Sequence, residues 1–377
     1  MTDAPAIQLF VPKFRVDEVL AEIRLCLERG WTGLGYKTAE MEAAWVEYTR
    51  LPHAHFLNSA TAALHIAVAL YKRQLGWREG DEIISSPLTF VSTNHAILYE
   101  GLQPVFADVD ESLCLDPASV ETMITSRTRA VIFVGLGGNV GQLAAVADLC
   151  KRHNLKLILD AAHMAGTKLA GKDPGHLADV ACYSFQAVKN LPTCDSGMIC
   201  YHDKELDRIA RQFSWMGISK DTFARAQKGS YSWLYDVDHI GFKYNGNSVV
   251  AAMGLIGLKY LDEDNAYRRQ LCAWYDERLQ GHSGVGRIPV PPDCTSSRHL
   301  YQIRVKNRDA MLNRLNEAGI YPGVHYRDNT EYGLYAYAQG SCPRAALASS
   351  ELISLPLHLG LGAADIDRIS SVILSQA

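Results

Sequence analysis

The chain has 377 residues, 48% of them hydrophobic, with 37 lysines and arginines against 41 aspartates and glutamates for a formal charge of −4 at pH 7. That length accommodates one large α/β core and a smaller domain, and the near-balanced charge, with neither a basic block nor an acidic tail, excludes a nucleic-acid footprint or a polybasic membrane anchor. No uncharged apolar run approaches the ~18 residues of a membrane span, residues 1–5 lack the order of a signal peptide, and the nine cysteines include no C-x-x-C pair; the expectation is a soluble, cytoplasmic protein with free thiols, no disulfide framework and no metal site.

The first predicted element is a helix over Val16–Arg29, where Val19, Leu20, Ile23 and Leu27 recur at helical spacing. Residues 1–30 are expected to form an N-terminal arm. The turn-rich stretch Trp31–Tyr36 leads into a second amphipathic helix over Thr38–Tyr48.

From Ala54 the rhythm changes to short apolar runs alternating with helical ones. Strands are predicted over Ala54–Asn58, Glu82–Ser86, Pro104–Asp108, Ala130–Gly135, Lys156–Asp160, Val180–Phe185 and Gly197–Tyr201, with crossover helices over Thr61–Gln74, Val91–Tyr99, Pro117–Ile124 and Ala144–His153. This alternation predicts an α/β fold whose mostly parallel seven-stranded sheet carries helices on both faces. Any ligand is then expected in the crevice at the carboxyl ends of the strands.

Past Tyr201 the alternation lapses. A helix is expected over Leu206–Ser214, an aromatic and polar loop over Lys228–Tyr235, a strongly apolar buried helix over Asn247–Tyr260 and further helix over Tyr267–Gln280. The Ser-, Gly- and Pro-rich stretch Gly281–Ser297 precedes a strand over Leu300–Val305 and a helix over Arg308–Ala318. The large domain is placed at 31–261 and a smaller C-terminal α/β domain at 262–377.

Candidate chemistry gathers at the strand ends. In Ser184–Asn190 an apolar approach leads to Lys189, and a lysine amine becomes a nucleophile able to hold an aldehyde cofactor as a Schiff base when burial lowers its pKa. At Asn58–Leu64 a strand ends and small residues open a helix, so backbone N–H groups and the Thr61 hydroxyl could bind a phosphate, or simply cap the helix. Asp160 closes an apolar strand ahead of Ala161, Ala162 and His163; a carboxylate there needs a cationic partner, for which a protonated pyridine nitrogen would serve, with a helix N-cap as the other reading. Phe90, in Pro87–Thr93, could lie flat on a planar ring or pack in the core. The cluster Gly135–Gly141 has Val140 where the G-x-G-x-x-G fingerprint requires glycine, and reads as a tight loop at the sheet edge.

Taken in order, N-S-A-T-A-A-L at 58–64, P-L-T-F-V-S-T at 87–93, D-A-A-H at 160–163, S-F-Q-A-V-K-N at 184–190, F-K-Y-N at 242–245, H-Y at 325–326 and S-L-P-L-H at 354–358 make the chain resemble the DegT/DnrJ/EryC1/StrS sugar aminotransferases. These are fold type I enzymes dependent on pyridoxal 5'-phosphate, and the resemblance runs from about Gly33 to Ile373.

The resemblance implies that Lys189 forms the Schiff base with pyridoxal phosphate and shuttles protons, that Asp160 pairs with the pyridinium nitrogen, that Phe90 stacks on the ring and that His163 sits near the phenolic oxygen. Ala60, Thr61 and Ser184 would hold the phosphate, with the partner subunit's Asn245 reaching into a site shared across a homodimer. His325 and Tyr326 would lie near the substrate, and Trp233, Lys243 and His358 would touch sugar or phosphates. The implied reaction is ping-pong: an amino-acid donor, usually glutamate, gives its amine to a nucleotide-linked keto-deoxysugar, as in deoxysugar and polysaccharide biosynthesis. A branch that carries histidine in place of the lysine dehydrates sugars, so Lys189 argues for amine transfer.

The chain departs from the family at Cys194-Asp195-Ser196-Gly197, where G-E-G-G is common, at Gln186, often histidine, and at Gly246–Val249 after F-K-Y-N. These changes fall around the substrate, so a keto-cyclitol or another small keto compound is the alternative acceptor. A catalytically idle relative that only binds the cofactor is the reading from a different class.

Overall fold

The protein is described from a computed structural model that covers residues 5–219 and 234–375. Its centre is a seven-stranded sheet of β1 (His53–Leu57), β2 (Glu82–Ser85), β3 (Gln103–Phe106), β4 (Thr128–Val134), β5 (Lys156–Asp160), β6 (Val180–Ser184) and β7 (Gly197–Tyr201), in the spatial order β1-β7-β6-β5-β4-β2-β3. The five strands from β6 to β3 run parallel, whereas β7 is antiparallel to both of its neighbours. All the sequence-predicted strands are therefore present, with ends shifted by a residue or two.

The sheet is covered on both sides because its strands are apolar at consecutive positions, and successive side chains point to opposite faces. Val131, Phe133, Leu157 and Leu159 pack into one core with Met41, Trp45, Leu143 and Leu261, while Ala130, Ile132 and Ile158 pack into a second with Ala63–Tyr71. Helices flanking these cores are α1 (Val16–Glu28), α2 (Tyr36–Thr49), α3 (Ala60–Leu75), α4 (Val91–Leu98), α5 (Pro117–Thr122), α6 (Leu143–Arg152) and α7 (Lys204–Ser214).

Registry brings the ligand-side ends together. Ser184 at the end of β6 and Leu57 at the end of β1 both pair with Gly197 at the start of β7, and Asp160 at the end of β5 pairs with Cys182 of β6. The residues just after β1, β2, β4, β5 and β6 thus open on the same edge of the sheet.

Three expectations need correction. The helices expected at 247–260 and 267–280 are one 32-residue helix, α8 (Ser248–Leu279). The acidic run Asp262–Asp264 does not break it, since it contains neither Gly nor Pro, and two of its carboxylates are met: Arg15 makes two hydrogen bonds to Asp264 at 2.7 and 2.8 Å, and Tyr48 donates to Asp262 at 2.5 Å. Residue 262, the expected start of the smaller domain, falls inside this helix. The apolar stripe of α1 is only partly covered, with Val19 buried against α8 but Leu20 and Leu27 58% and 61% exposed.

The third correction concerns Gly135–Gly141. The loop lies on the strand-end edge of the sheet but follows central β4 rather than an outer strand, and it is buried from Gly135 to Val140, with Gly137 at φ 66° and Gly138 at φ 87°. A side chain on Gly138 would be strained by that backbone and would meet the Ser297 and Ser296 hydroxyls at 2.2 and 3.0 Å.

Beyond α8, the strands β8 (Gly286–Arg287), β9 (Tyr301–Arg304) and β10 (Leu352–Leu355) form an antiparallel sheet in the order β10-β9-β8. Its core includes Leu271, Tyr275, Ile303, Leu315, Ile353 and Ile369, and Ile7 of the N-terminal segment bridges Ile320 beside it. Among the described residues no helix is long and apolar enough to cross a membrane, and all nine cysteines are free.

Candidate active site

The strand ends enclose a cavity of about 410 Å³ whose walls include Ala60, Thr61, Phe90, Asp160, His163, Ser184, Lys189, His325 and Tyr326. Segments far apart in sequence deliver them. The sheet supplies most, and the segment after residue 320 closes the opposite wall with His325 and Tyr326.

Lys189 sits past the strand rather than on it. β6 ends at Ser184, and the chain then turns, with the Lys189 N–H donating to the Gln186 carbonyl at 2.8 Å and the Val188 N–H to Gln186 Oε1 at 3.2 Å. Burial pulls the Lys189 ammonium down to about 8, with Asp160 acting in the opposite direction. A sizeable fraction of the amine is therefore neutral near physiological pH.

Asp160 is 5% exposed, and burial raises its pKa while the Thr93 hydroxyl, the Ala162 N–H and Lys189 favour its charged form. Thr93 donates to Oδ2 at 2.7 Å and Ala162 N–H to Oδ1 at 3.1 Å, which fixes the carboxylate plane. Burial, reinforced by the positive Lys189 and by His325, holds the pKa of His163 well below the usual histidine value. Its Nδ1 accepts the Gly137 N–H at 3.1 Å, so the neutral ring carries its proton on Nε2, 3.3 Å from the Tyr326 hydroxyl.

The floor is the start of α3. Ser59 caps it by accepting the Ala62 N–H at 3.1 Å, and the first N–H groups of a helix lack intrahelical partners. β7 approaches this turn so closely that a Cβ on Gly197 would lie 2.6 Å from both Ala60 N and Ser59 C. Phe90 precedes α4 with 57% of its surface exposed, 6.0 Å from the Tyr326 ring. His325 donates to or accepts from Ser354 Oγ at 2.9 Å, and burial and Lys189 push it down to about 4.

The chemistry of this donor set fits pyridoxal phosphate. A helix start with hydroxyls suits a phosphate, a buried carboxylate suits a cationic ring nitrogen, an N–H-bearing imidazole suits a phenolic oxygen and a partly neutral lysine suits an aldehyde.

Three expected residues, all described, do not line this cavity. Lys243 lays its ammonium 3.1 Å from the centre of the Trp215 ring, and desolvation lowers its pKa. Asn245 is bridged to Leu57 beside β1; its Nδ2 donates to the Gly246 carbonyl at 2.9 Å and its Oδ1 is buried without a partner. His358 lies behind the lysine loop, in a small separate recess lined also by Lys189 and Arg268. Trp233 lies outside the described residues.

Thr93, His299, Asn190, Gly137 and Phe10 were missed by the sequence reading. Thr93 could have been noticed as a hydroxyl one turn beyond Phe90, but the others are brought in by long-range packing. Phe10 stacks on His299 with ring centres 5.4 Å apart, and His299 lies 4.3 Å from His163.

Residues 15–374 match the DegT/DnrJ/EryC1/StrS aminotransferase family. The chain is 33% identical over 364 residues to the spore coat polysaccharide biosynthesis protein SpsC of Bacillus subtilis, covering 93% of this chain and 92% of that protein. Among solved structures it is similar to the aminotransferase TlmJ of Streptoalloteichus hindustanus, at 31% identity and a TM-score of 0.90 over 98% of each chain. It is likewise similar to Helicobacter pylori PseC, an aminotransferase involved in the biosynthesis of pseudoaminic acid, at 27% identity and a TM-score of 0.90 over 98% of each chain.

Proposed function

The chain belongs to the DegT/DnrJ/EryC1/StrS aminotransferase family, and from that premise we propose that it carries an amino group from glutamate to a nucleotide-linked keto-deoxysugar in ping-pong fashion. It is a pyridoxal-phosphate-dependent sugar aminotransferase. The observation that carries the finer reading is the shared cavity, in which Lys189, drawn down to about 8, lies beside Asp160 and the open start of α3.

When bound, pyridoxal phosphate supplies an aldehyde carbon for amines and a ring that takes up the electron pair left when a carbon–hydrogen bond breaks. Lys189 would hold it through Nζ and, once displaced, move the proton between carbons. Asp160, oriented by Thr93 and Ala162, would accept the N–H of the ring nitrogen and keep it protonated. Ala60, Thr61 and Ser184 would hold the phosphate, Phe90 would cover one ring face, and His163 would donate from Nε2 to the phenolic oxygen. His325 and Tyr326 would border the substrate.

Asn245, Lys243 and His358, absent from the cavity of their own chain, would act from outside it. The orphaned Oδ1 of Asn245 beside β1 supports a role for the partner subunit's Asn245 across a homodimer. A keto-cyclitol acceptor is the second reading, favoured because Asp195 and Ser196, where the chain departs from its family, both line the cavity.

The test is to load the purified protein with pyridoxal phosphate and glutamate and offer keto-sugar nucleotides and keto-cyclitols in parallel, following amino products by mass spectrometry. Amination of cyclitols alone would overturn the nucleotide-sugar assignment, and no transfer from any amine donor would leave an idle relative.

A further inference from the structure

His299 faces the same cavity as His163 but with the opposite polarity, and its neighbours fix that polarity. The Asn190 side chain can be oriented without ambiguity, because its Nδ2 lies 2.7 Å from the Ser297 carbonyl, which can only accept, and 2.6 Å from Asn265 Oδ1. Asn265 in turn donates through its Nδ2 to the Ala165 carbonyl at 2.9 Å, so its own orientation is fixed as well. Asn190 Oδ1 therefore points at His299 Nδ1, 2.9 Å away, and an amide oxygen only accepts. The His299 proton sits on Nδ1, and Nε2 is left as a bare lone pair.

That lone pair has no hydrogen-bond partner among the described residues, although the residue is 1% exposed and lines the cavity. The ring cannot easily tilt away, since Phe10 lies parallel on it at 5.4 Å, within 8° of coplanar. Burial and the positive charge of Lys189 keep the imidazole neutral. His163, 4.3 Å away between ring centres, offers Nε2–H instead. Nε2 therefore opens on the cavity as a free acceptor, placed to take a hydrogen bond from a donor that arrives with a ligand.

The other groups of the cavity limit what that donor is. Asp160 is directed to a ring nitrogen by Thr93 and Ala162, the Lys189 amine is committed to the aldehyde carbon, and Thr61 and His163 offer hydrogens to a phosphate and a phenolic oxygen. We propose that His299 Nε2 accepts a hydrogen bond from a hydroxyl of the sugar acceptor, which makes His299 a specificity-determining residue of this enzyme. The assignment rests on the sugar-aminotransferase reading.

The test separates the two half-reactions in His299→Asn, whose amide N–H can still reach Asn190 while the acceptor is lost, and His299→Gln, whose longer amide can return an oxygen to the place of Nε2. With glutamate the absorbance change should stay within about threefold of the parent enzyme. With a nucleotide-linked keto-deoxyhexose, His299→Asn should lose roughly 10- to 100-fold in kcat/KM and His299→Gln should recover part of it. Equal losses in both half-reactions, or no loss in either, would overturn the proposal. A parent enzyme that takes the amine from glutamate yet passes it to no keto-sugar would instead overturn the sugar reading, and this assignment with it. Should either variant fail to fold, nitrogen-15 NMR of the parent protein decides: His299 protonated on Nδ1 supports the assignment, and protonation on Nε2 excludes it.

Discussion

Thr93, in the first turn of α4, gives its hydroxyl hydrogen to Asp160 Oδ2 at 2.7 Å, and because that hydrogen is then used, the Thr89 hydroxyl 2.9 Å away must be the donor to Thr93. The carboxylate is thus aimed by two hydroxyls in series from the loop that also carries Phe90. Aim and charge are coupled here, since burial by itself raises the Asp160 pKa and these hydrogen bonds oppose it.

Replacing Thr93 by valine removes one hydrogen bond to a charged, buried acceptor, a loss of about 1.5–3 kcal/mol. The affinity for pyridoxal phosphate should fall by roughly 10- to 100-fold, measured by equilibrium dialysis. An unchanged affinity would mean that Asp160 is positioned without Thr93.

Lys189→Ala should fold, since burying the ammonium is a cost that the substitution removes, and should lose transamination by at least about a thousandfold. Borohydride should fix cofactor covalently to the parent protein at Lys189 and not to the variant. Turnover near the parent rate would refute the lysine's role.

The amine of Lys189 should titrate near pH 8 in the cofactor-free protein, below its ordinary 10.5. Reaction with an amine-directed reagent should rise through pH 8 and level off while surface lysines are still inert. The linkage has a definite sign: between about pH 8 and 10.5 the unfolded chain binds a proton at Lys189 that the folded chain does not, so this group's contribution to stability improves as pH rises through that window. A reactivity midpoint above pH 10 would contradict the burial that lowers it.

Gly197→Ala should damage the phosphate floor, because the new methyl would sit 2.6 Å from the backbone of Ser59 and Ala60, atoms that cannot rotate away. Overpacking of this kind costs about 1–3 kcal/mol, visible as a lower melting temperature, and cofactor affinity should drop with it. A variant with full stability and full affinity would show that β7 and α3 can separate without harm.

Asp160 was legible in the sequence because an apolar run of strand length ends at it, whereas Ser184 and Lys189, the latter past the end of β6, drew their expected roles from the order of the family's motifs. The helix from Ser248 to Leu279 was not legible as one element, since its apolar first half gives way to a polar centre whose Asp264 and Asp262 find Arg15 and Tyr48 only in the fold. Likewise Lys243 and His358 carried suitable chemistry in matching motifs, yet one is drawn onto Trp215 and the other lies behind the lysine loop.

Periodicity by itself determined the α/β class and all strands of the large sheet, because each is set by local chain chemistry, and motif order singled out the lysine, aspartate and helix start proposed to serve one cofactor. Tertiary structure decided what the residues between them do. His163 and His299 are the same side chain in sequence terms, and each becomes a donor or an acceptor only when Gly137 or Asn190, 26 and 109 positions away, takes one of its two nitrogens.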